Sequence, residues 1–141
     1  MTTNRLTMNR LTTTAGWSLL AIAALHTLVF AFHPYWDDWF AGPMRTGTLP
    51  LDAVVQFWGL PGGFVVPGVL LGLLMVRLGR RGETLPTYAG VVLGVWAVAC
   101  IWIVGPSGFL LVLVPAVLLI LAGARARRRG TRADQGVPAP A

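Results

Sequence analysis

The chain has 141 residues, of which 55% are hydrophobic and 11% charged, and its formal net charge is +6. A soluble domain carries about 25% charged residues, so this composition leaves too little polar sequence to cover a water-soluble core. The arginines flank long apolar stretches instead of forming a basic stripe on a soluble fold, which argues against nucleic acid as a partner. We therefore predict one small integral membrane domain whose main partner is the lipid bilayer.

Four apolar stretches are long enough to cross the hydrocarbon core of a bilayer, which is roughly 30 Å thick. The predicted spans are residues 15–32, 54–78, 87–104 and 107–124. Pro61 and Pro67 lie inside the second span, so we expect a kink or a broken helix there. Gly105 and Pro106 predict a tight turn between the third and fourth spans. The predicted fold class is all-α, an integral membrane four-helix bundle.

Arginine content alternates between the segments that connect the spans. The N-terminal tail has two arginines, the second loop three and the C-terminal tail five, whereas the first loop has one and the third none. Because basic residues favour the cytoplasmic side, we expect both termini and the second loop in the cytoplasm. Residues 1–14 are then a cytoplasmic tail, with Met8 as an alternative start, and residues 125–141 are a basic, disordered cytoplasmic tail.

Small residues recur at four-residue spacing within the predicted spans, which lets helix backbones approach closely. These residues are Ala23, Thr27 and Ala31 in the first span, Gly68 and Gly72 in the second, and Gly90 and Gly94 in the third. The pattern predicts packed helices. It is equally compatible with contacts within one chain and with contacts between copies in a homo-oligomer.

His26 is the ionisable side chain that lies well inside an apolar span, where such groups usually face the interior of the bundle. Our main interpretation is a neutral imidazole that donates one hydrogen bond to a neighbouring helix. His33 follows on the same helix face about two turns later, which would also suit a proton path. The two imidazoles are too far apart to chelate one ion, so no metal site is predicted.

The first loop begins HPYWDDWFAG, and Pro34 suits the first position of a short helix. Trp36 and Trp39 fall on one side of that helix, as an interfacial aromatic belt requires, while Asp37 and Asp38 can face water. We therefore expect a short interfacial helix along the outer membrane surface.

An alternative interpretation turns one of these aspartates into a desolvated aromatic pocket. A carboxylic acid in such a pocket stays protonated and can protonate a lipophilic, isoprenoid-like substrate. The catalytic residues of this hypothetical enzyme would be Asp37, Asp38 and His26, and its substrate-binding residues would be His33, Trp36, Trp39, Gln56, Trp58 and Trp96. No nucleotide, hydrolase or zinc motif accompanies them, so the first interpretation is a non-enzymatic membrane role of unknown kind, without a cofactor.

Four segments carry a resemblance to a known family: GWSLLAIAALHTLVF, QFWGLPGGFVVPGVLLGLL, RRGETLP and GPSGFLLVLVPAVLLIL. With them, the chain resembles a bacterial family of small membrane proteins of unknown function (DUF6463) from Gly16 to Ala122. The most recognisable points are His26-Thr27, Phe57-Trp58 and Ser107-Gly108-Phe109. The resemblance implies four helices in a bacterial cytoplasmic membrane and no established activity. The acidic HPYWDDW loop is not part of the resemblance.

Overall fold

The computed structural model describes residues 8–32, 34–41, 47, 49–59 and 63–135. These residues form six helices and no strand, which confirms the all-α class for the part of the chain described. In chain order the helices are α1 (Arg10–Phe30), α2 (Tyr35–Ala41), α3 (Leu51–Gly59), α4 (Val65–Arg80), α5 (Thr87–Val104) and α6 (Phe109–Gln135).

The start of α1 is capped by Asn9 and bonded to α4. The Asn9 side chain accepts a hydrogen bond from the Thr12 N–H at 3.2 Å, which satisfies one of the donors that a first helical turn leaves open. The Asn9 N–H donates to the Gly79 carbonyl oxygen at 2.8 Å, near the end of α4. Because the start of one helix meets the end of the other, α1 and α4 run antiparallel.

The long helices pack side by side around a small buried core. α1 lies between α4 and α6, and α6 lies between α1 and α5. Ala15 and Leu19 of α1, Met75 of α4 and Leu119 of α6 form a buried apolar cluster where three of these helices meet. The core is therefore centred on α1 and α6, and α4 and α5 flank them.

Glycine permits the closest helix contacts. A Cβ atom on Gly16 would lie 2.7 Å from the Gly72 carbonyl oxygen, and one on Gly90 would lie 2.8 Å from the backbone of α6. Real side chains do not tolerate such distances, so the predicted close packing is confirmed at Gly72 and Gly90, within one chain. Thr27 and Ala31 differ from the prediction, because both are exposed on the outer face of α1.

The predicted second span is divided into two helices, α3 and α4, as the expected break in this span requires. Pro67 lies in the first turn of α4, where its missing N–H costs no hydrogen bond. Pro61 lies outside the described residues. The short helix predicted in the first loop is present as α2.

Two helix ends differ from the sequence-based boundaries. α1 begins at Arg10 rather than at residue 15, because Asn9 supplies the N-cap. α6 continues to Gln135, whereas the sequence predicted a disordered tail from residue 125. Residues 124–129 are all alanine or arginine, and both are strong helix formers. Basic side chains also interact favourably with the C-terminal end of a helix dipole.

Two stretches are long and apolar enough to cross a membrane by length and composition, namely Arg10–Phe30 and Phe109–Arg129. α5 holds a shorter apolar stretch, Thr87–Ile103. The 16-residue α4 and the 9-residue α3 are shorter still. By this criterion, the described residues contain two candidate spans, whereas the sequence predicted four.

Candidate functional site

A partly open cavity of about 880 Å³ lies between α1, α4, α5 and the beginning of α6. α3 contributes Gln56 and Trp58 to its wall. We call this space the aromatic cavity, after four rings that line it: His26, Phe64, Trp96 and Phe109. Concave, mostly apolar spaces of roughly 300–1,000 Å³ with a few polar groups are typical of small-molecule sites.

The helix period of α1 places His26 in the cavity wall. Leu19, Ile22, His26 and Phe30 follow one another at spacings of three or four residues, so they share one face of the helix, and all four line the cavity. The His26 ring lies 5.3 Å from the Phe30 ring, centroid to centroid. The imidazole is therefore embedded in an apolar stripe that faces α4, as the sequence predicted for an interior histidine.

The four rings form a continuous aromatic row from α1 to the start of α6. The His26 and Phe64 centroids are 5.7 Å apart in an edge-to-face arrangement. Phe64 and Trp96 are nearly parallel, with an interplanar angle of 15° and centroids 5.9 Å apart. Trp96 meets Phe109 edge to face at 5.4 Å. These arrangements are the ones aromatic pairs prefer, so the row stabilises the wall it forms.

Among the described residues that line the aromatic cavity, His26, Gln56 and Ser107 have polar side chains besides the tryptophans. The Ser107 hydroxyl oxygen is buried and has no hydrogen-bond partner among the described residues. No carboxylate, ammonium or guanidinium group is part of the described lining. The described lining thus offers hydrogen bonds at a few points and holds no permanently charged group.

The turn before α6 brings Ser107 and Phe109 to the cavity. Gly105 has φ +89°, a left-handed conformation that side chains rarely adopt, so glycine is needed where the chain leaves α5. The Leu110 N–H then donates to the Ser107 carbonyl oxygen at 3.0 Å and starts the first turn of α6. The predicted tight turn at Gly105 is confirmed by this geometry.

Side-chain hydrogen bonds from α2 hold α3 near the end of α1. The Trp36 indole N–H donates to the Phe30 carbonyl oxygen at 2.9 Å, and the Trp39 indole N–H donates to the Ala53 carbonyl oxygen at 3.0 Å. The Tyr35 hydroxyl donates to the Asp52 carboxylate. These bonds join α2 to both neighbours and so hold α3, which carries Gln56, beside the cavity.

The predicted catalytic aspartates lie away from the aromatic cavity. Asp37 and Asp38 are exposed in the first turn of α2, and neither lines the cavity. The desolvated pocket that the acid hypothesis requires is therefore not found around them. Among the described residues, no three His, Cys, Asp or Glu side chains form a group that could hold a metal ion.

The other predicted site residues divide into two groups. His26, Gln56, Trp58 and Trp96 come together at the aromatic cavity, although they come from three different helices. Trp36 and Trp39 instead bond to backbone carbonyl groups outside it. His33 lies outside the described residues.

Sequence reasoning missed Phe64, Ser107 and Phe109 as site residues. Two of them stand in the Ser107-Gly108-Phe109 segment that carried part of the family resemblance, which was an available signal. Phe64 comes directly before α4 and is one of many apolar residues in its region. Phe64 also stands in a segment that carries the resemblance, QFWGLPGGFVVPGVLLGLL, but nothing there distinguishes it from residues that only pack.

Comparison with known proteins identifies a family but no characterised relative. No curated protein and no solved structure matches the chain. A model of a family of unknown function (DUF6463) matches residues 10–126, which covers α1 to α5 and most of α6. The chain therefore belongs to the DUF6463 family, a family of unknown function.

Proposed function

We propose that this chain is a four-span integral membrane protein that binds a lipophilic small molecule in the aromatic cavity, without a catalytic step. The spans are α1, α3 with α4, α5, and α6, and the membrane is the bacterial cytoplasmic membrane. The cavity carries this proposal, because a large, mostly apolar space with few polar side chains in its described lining suits a lipophile.

The burial of the apolar helices supports a membrane environment. A core helix of a soluble protein is mostly buried within its own fold, whereas only 22% of the apolar window in α1 and 33% of that in α6 are buried here. Large apolar side chains also project outward, and Trp102 and Ile103 on α5 are 89% and 80% exposed. Exposed apolar surface in water costs about 25 cal/mol per Å², a cost that lipid removes.

The positions of the acids favour binding over catalysis. Proton transfer requires an acid or base within hydrogen-bond reach of the substrate. Asp37 and Asp38 are exposed on α2, and the aromatic cavity has no carboxylate in its described lining. His26 is the ionisable side chain among the described lining residues, and an imidazole there can orient a ligand by a hydrogen bond.

The test compares two tryptophans on the same helix. Trp96 lines the aromatic cavity, whereas Trp102 points away from the protein and is 89% exposed. The probe is N-phenyl-1-naphthylamine, a neutral lipophile, and native mass spectrometry of the detergent-solubilised protein counts the chains that carry one probe molecule. We expect Trp96→Ala to weaken saturable binding about three- to tenfold through loss of ring contacts, and Trp102→Ala to leave it unchanged.

Two results would contradict the proposed function. Saturable binding that both substitutions weaken equally would show that the probe adheres to the outer apolar surface. Absence of any saturable binding by the unaltered chain would remove the lipophile-binding role.

A further inference from the structure

We propose that the ligand of the aromatic cavity is a neutral lipophile with a planar ring that bears carbonyl oxygens, a molecule of the quinone class. This inference rests on the proposed function, since it names the kind of lipophile bound there. Three observations carry it: the absence of arginine and carboxylate from the described lining, the geometry of the rings and the positions of the polar groups.

The described lining, which holds no arginine and no carboxylate, excludes most membrane lipids as preferred ligands. A phospholipid would bring a phosphate into the cavity, and no arginine is part of its described lining to pair with that charge. Burial of an unpaired charge is costly, whereas a neutral molecule avoids the cost. The arginines of α4 and α6 lie in the last turn of α4 and beyond residue 124, away from the cavity end of these helices.

The aromatic row favours a flat ring over a flexible chain. Phe64 and Trp96 are nearly parallel, with centroids 5.9 Å apart, and Phe109 and His26 stand edge-on at either end. A planar ring can lie against an exposed ring face or edge in the same offset and edge-to-face geometries. Trp96 is still 39% exposed, so part of its indole remains available for such a contact.

The polar groups of the described lining come from different elements around the aromatic cavity. His26 and Gln56 reach the cavity from α1 and α3, and Ser107 reaches it from the turn before α6. The Ser107 hydroxyl oxygen is buried and has no partner among the described residues, so a change of rotamer about the Cα–Cβ bond is needed for it to reach a ligand in the cavity. A quinone ring carries carbonyl oxygens on opposite sides, and each can accept a hydrogen bond from a donor such as Ser107 or Gln56. A hydrocarbon of the same shape would leave the Ser107 hydroxyl without a partner among the described residues.

A matched pair of ligands tests the class. Decylubiquinone and decylbenzene have the same alkyl chain, but only the first carries carbonyl oxygens. Native mass spectrometry measures how well each displaces N-phenyl-1-naphthylamine from the unaltered protein. We expect decylubiquinone to displace the probe at a concentration about tenfold lower than decylbenzene requires, because it forms hydrogen bonds that the hydrocarbon lacks.

A matched pair of serine variants tests the role of the hydroxyl group. Ser107→Ala should weaken the binding of decylubiquinone about three- to tenfold, as expected for one lost hydrogen bond. It should leave the binding of decylbenzene unchanged. Ser18→Ala is the control, because Ser18 does not line the aromatic cavity and its hydroxyl donates to the Ala15 carbonyl oxygen at 2.9 Å. Ser18→Ala should change the binding of neither compound.

The outcomes separate the two proposals. If the probe binds saturably but decylbenzene competes as well as decylubiquinone, the quinone class is wrong and lipophile binding stands. If Ser107→Ala leaves decylubiquinone binding unchanged, the assigned hydrogen bond is wrong. If the probe itself does not bind saturably, both the proposed function and the ligand class fail.

Discussion

The carboxylates of the first loop stabilise short helices. Asp37 and Asp38 lie in the first turn of α2, and Asp52 lies in the first turn of α3. A negative charge near a helix N-terminus stabilises an exposed helix by about 0.3–1 kcal/mol. Asp52 also accepts the hydrogen bond of the Tyr35 hydroxyl, which joins the two helices. The acidic residues of the HPYWDDW loop therefore have a structural explanation that does not involve a reacting substrate.

The Tyr35 hydroxyl titrates at a higher pH than an ordinary phenol. Its hydrogen bond to Asp52 is the largest cause, and desolvation and the negative charges of Asp52 and Asp38 also raise the pKa of Tyr35 above 10. We expect Asp52→Asn to lower this pKa, because the charged acceptor is gone. The phenolate absorbance measures it in a Tyr88→Phe background, since the chain has two tyrosines.

The stability effect of this hydrogen bond has a defined pH window. Because the pKa of Tyr35 is higher in the folded chain, the bond contributes fully below the unfolded pKa of about 10. Its contribution is lost as the pH rises through the folded pKa. Asp37→Asn is the control and should not move the titration, since Asp37 is not among the causes of the shift. An unchanged midpoint in Asp52→Asn would refute the assignment.

Among the helices, the close contact between α5 and α6 depends on a glycine, which has no Cβ atom. A Cβ on Gly90 would lie 2.8 Å from the Ala116 carbonyl oxygen, whereas a Cβ on Gly94 would lie 3.6 Å from the Ala116 Cβ. The first distance requires a backbone shift, and the second is an ordinary van der Waals contact. The two glycines, one helical turn apart, therefore differ in what they permit.

Alanine at these two positions should have opposite effects on stability. We expect Gly90→Ala to lower the free energy of unfolding by about 1–3 kcal/mol, because the added methyl group forces α5 away from α6. Gly94→Ala should be neutral or stabilising by up to about 1 kcal/mol, because alanine favours the helix and fits. Unfolding of both variants in detergent by titration with sodium dodecyl sulfate measures the difference. Equal destabilisation would mean that α5 and α6 do not pack through Gly90.

The helices were largely predictable from the sequence, because the length of each apolar stretch and the turn residues at its ends determine each helix locally. The third span, residues 87–104, matches α5, and Gly105 marks its end as predicted. The early start of α1 depends on the Asn9 side chain, and the extension of α6 depends on helix-forming residues in a polar tail. The hydrogen bond of the Asn9 cap extends α1 beyond its apolar stretch, and helix-forming residues extend α6 beyond its own.

The aromatic cavity was only partly predictable, because it forms where separate helices meet. His26 could be found from its position in an apolar span, and Trp58 and Trp96 from their residue type. Phe64 and Ser107 acquire their places only once α4 and the turn before α6 lie against α1. No local pattern in the sequence contains that arrangement. The sequence also did not determine whether Asp37 is exposed or buried.

For the whole molecule, the number of spans decides on which side each loop lies. In the proposed four-span bundle, the first and third loops lie outside and the second loop lies inside. If only α1 and α6 crossed the membrane, all three loops would lie on the same side. The aromatic cavity involves the C-terminal half of α1 and the turn at Ser107, so four spans would place it in the outer half of the membrane.

Single cysteines in the three loops distinguish these arrangements. Asp38, Glu83 and Pro106 are exposed and belong to the first, second and third loops. Each is replaced by cysteine in a Cys100→Ala background, which removes the one native thiol. We expect a membrane-impermeant maleimide to label Asp38→Cys and Pro106→Cys in intact cells and Glu83→Cys only after permeabilisation. Labelling of all three cysteines from one side would show that only two helices cross the membrane. A reversed pattern would show that the termini lie outside. Either result would move the aromatic cavity relative to the bilayer and change which lipophiles could reach it.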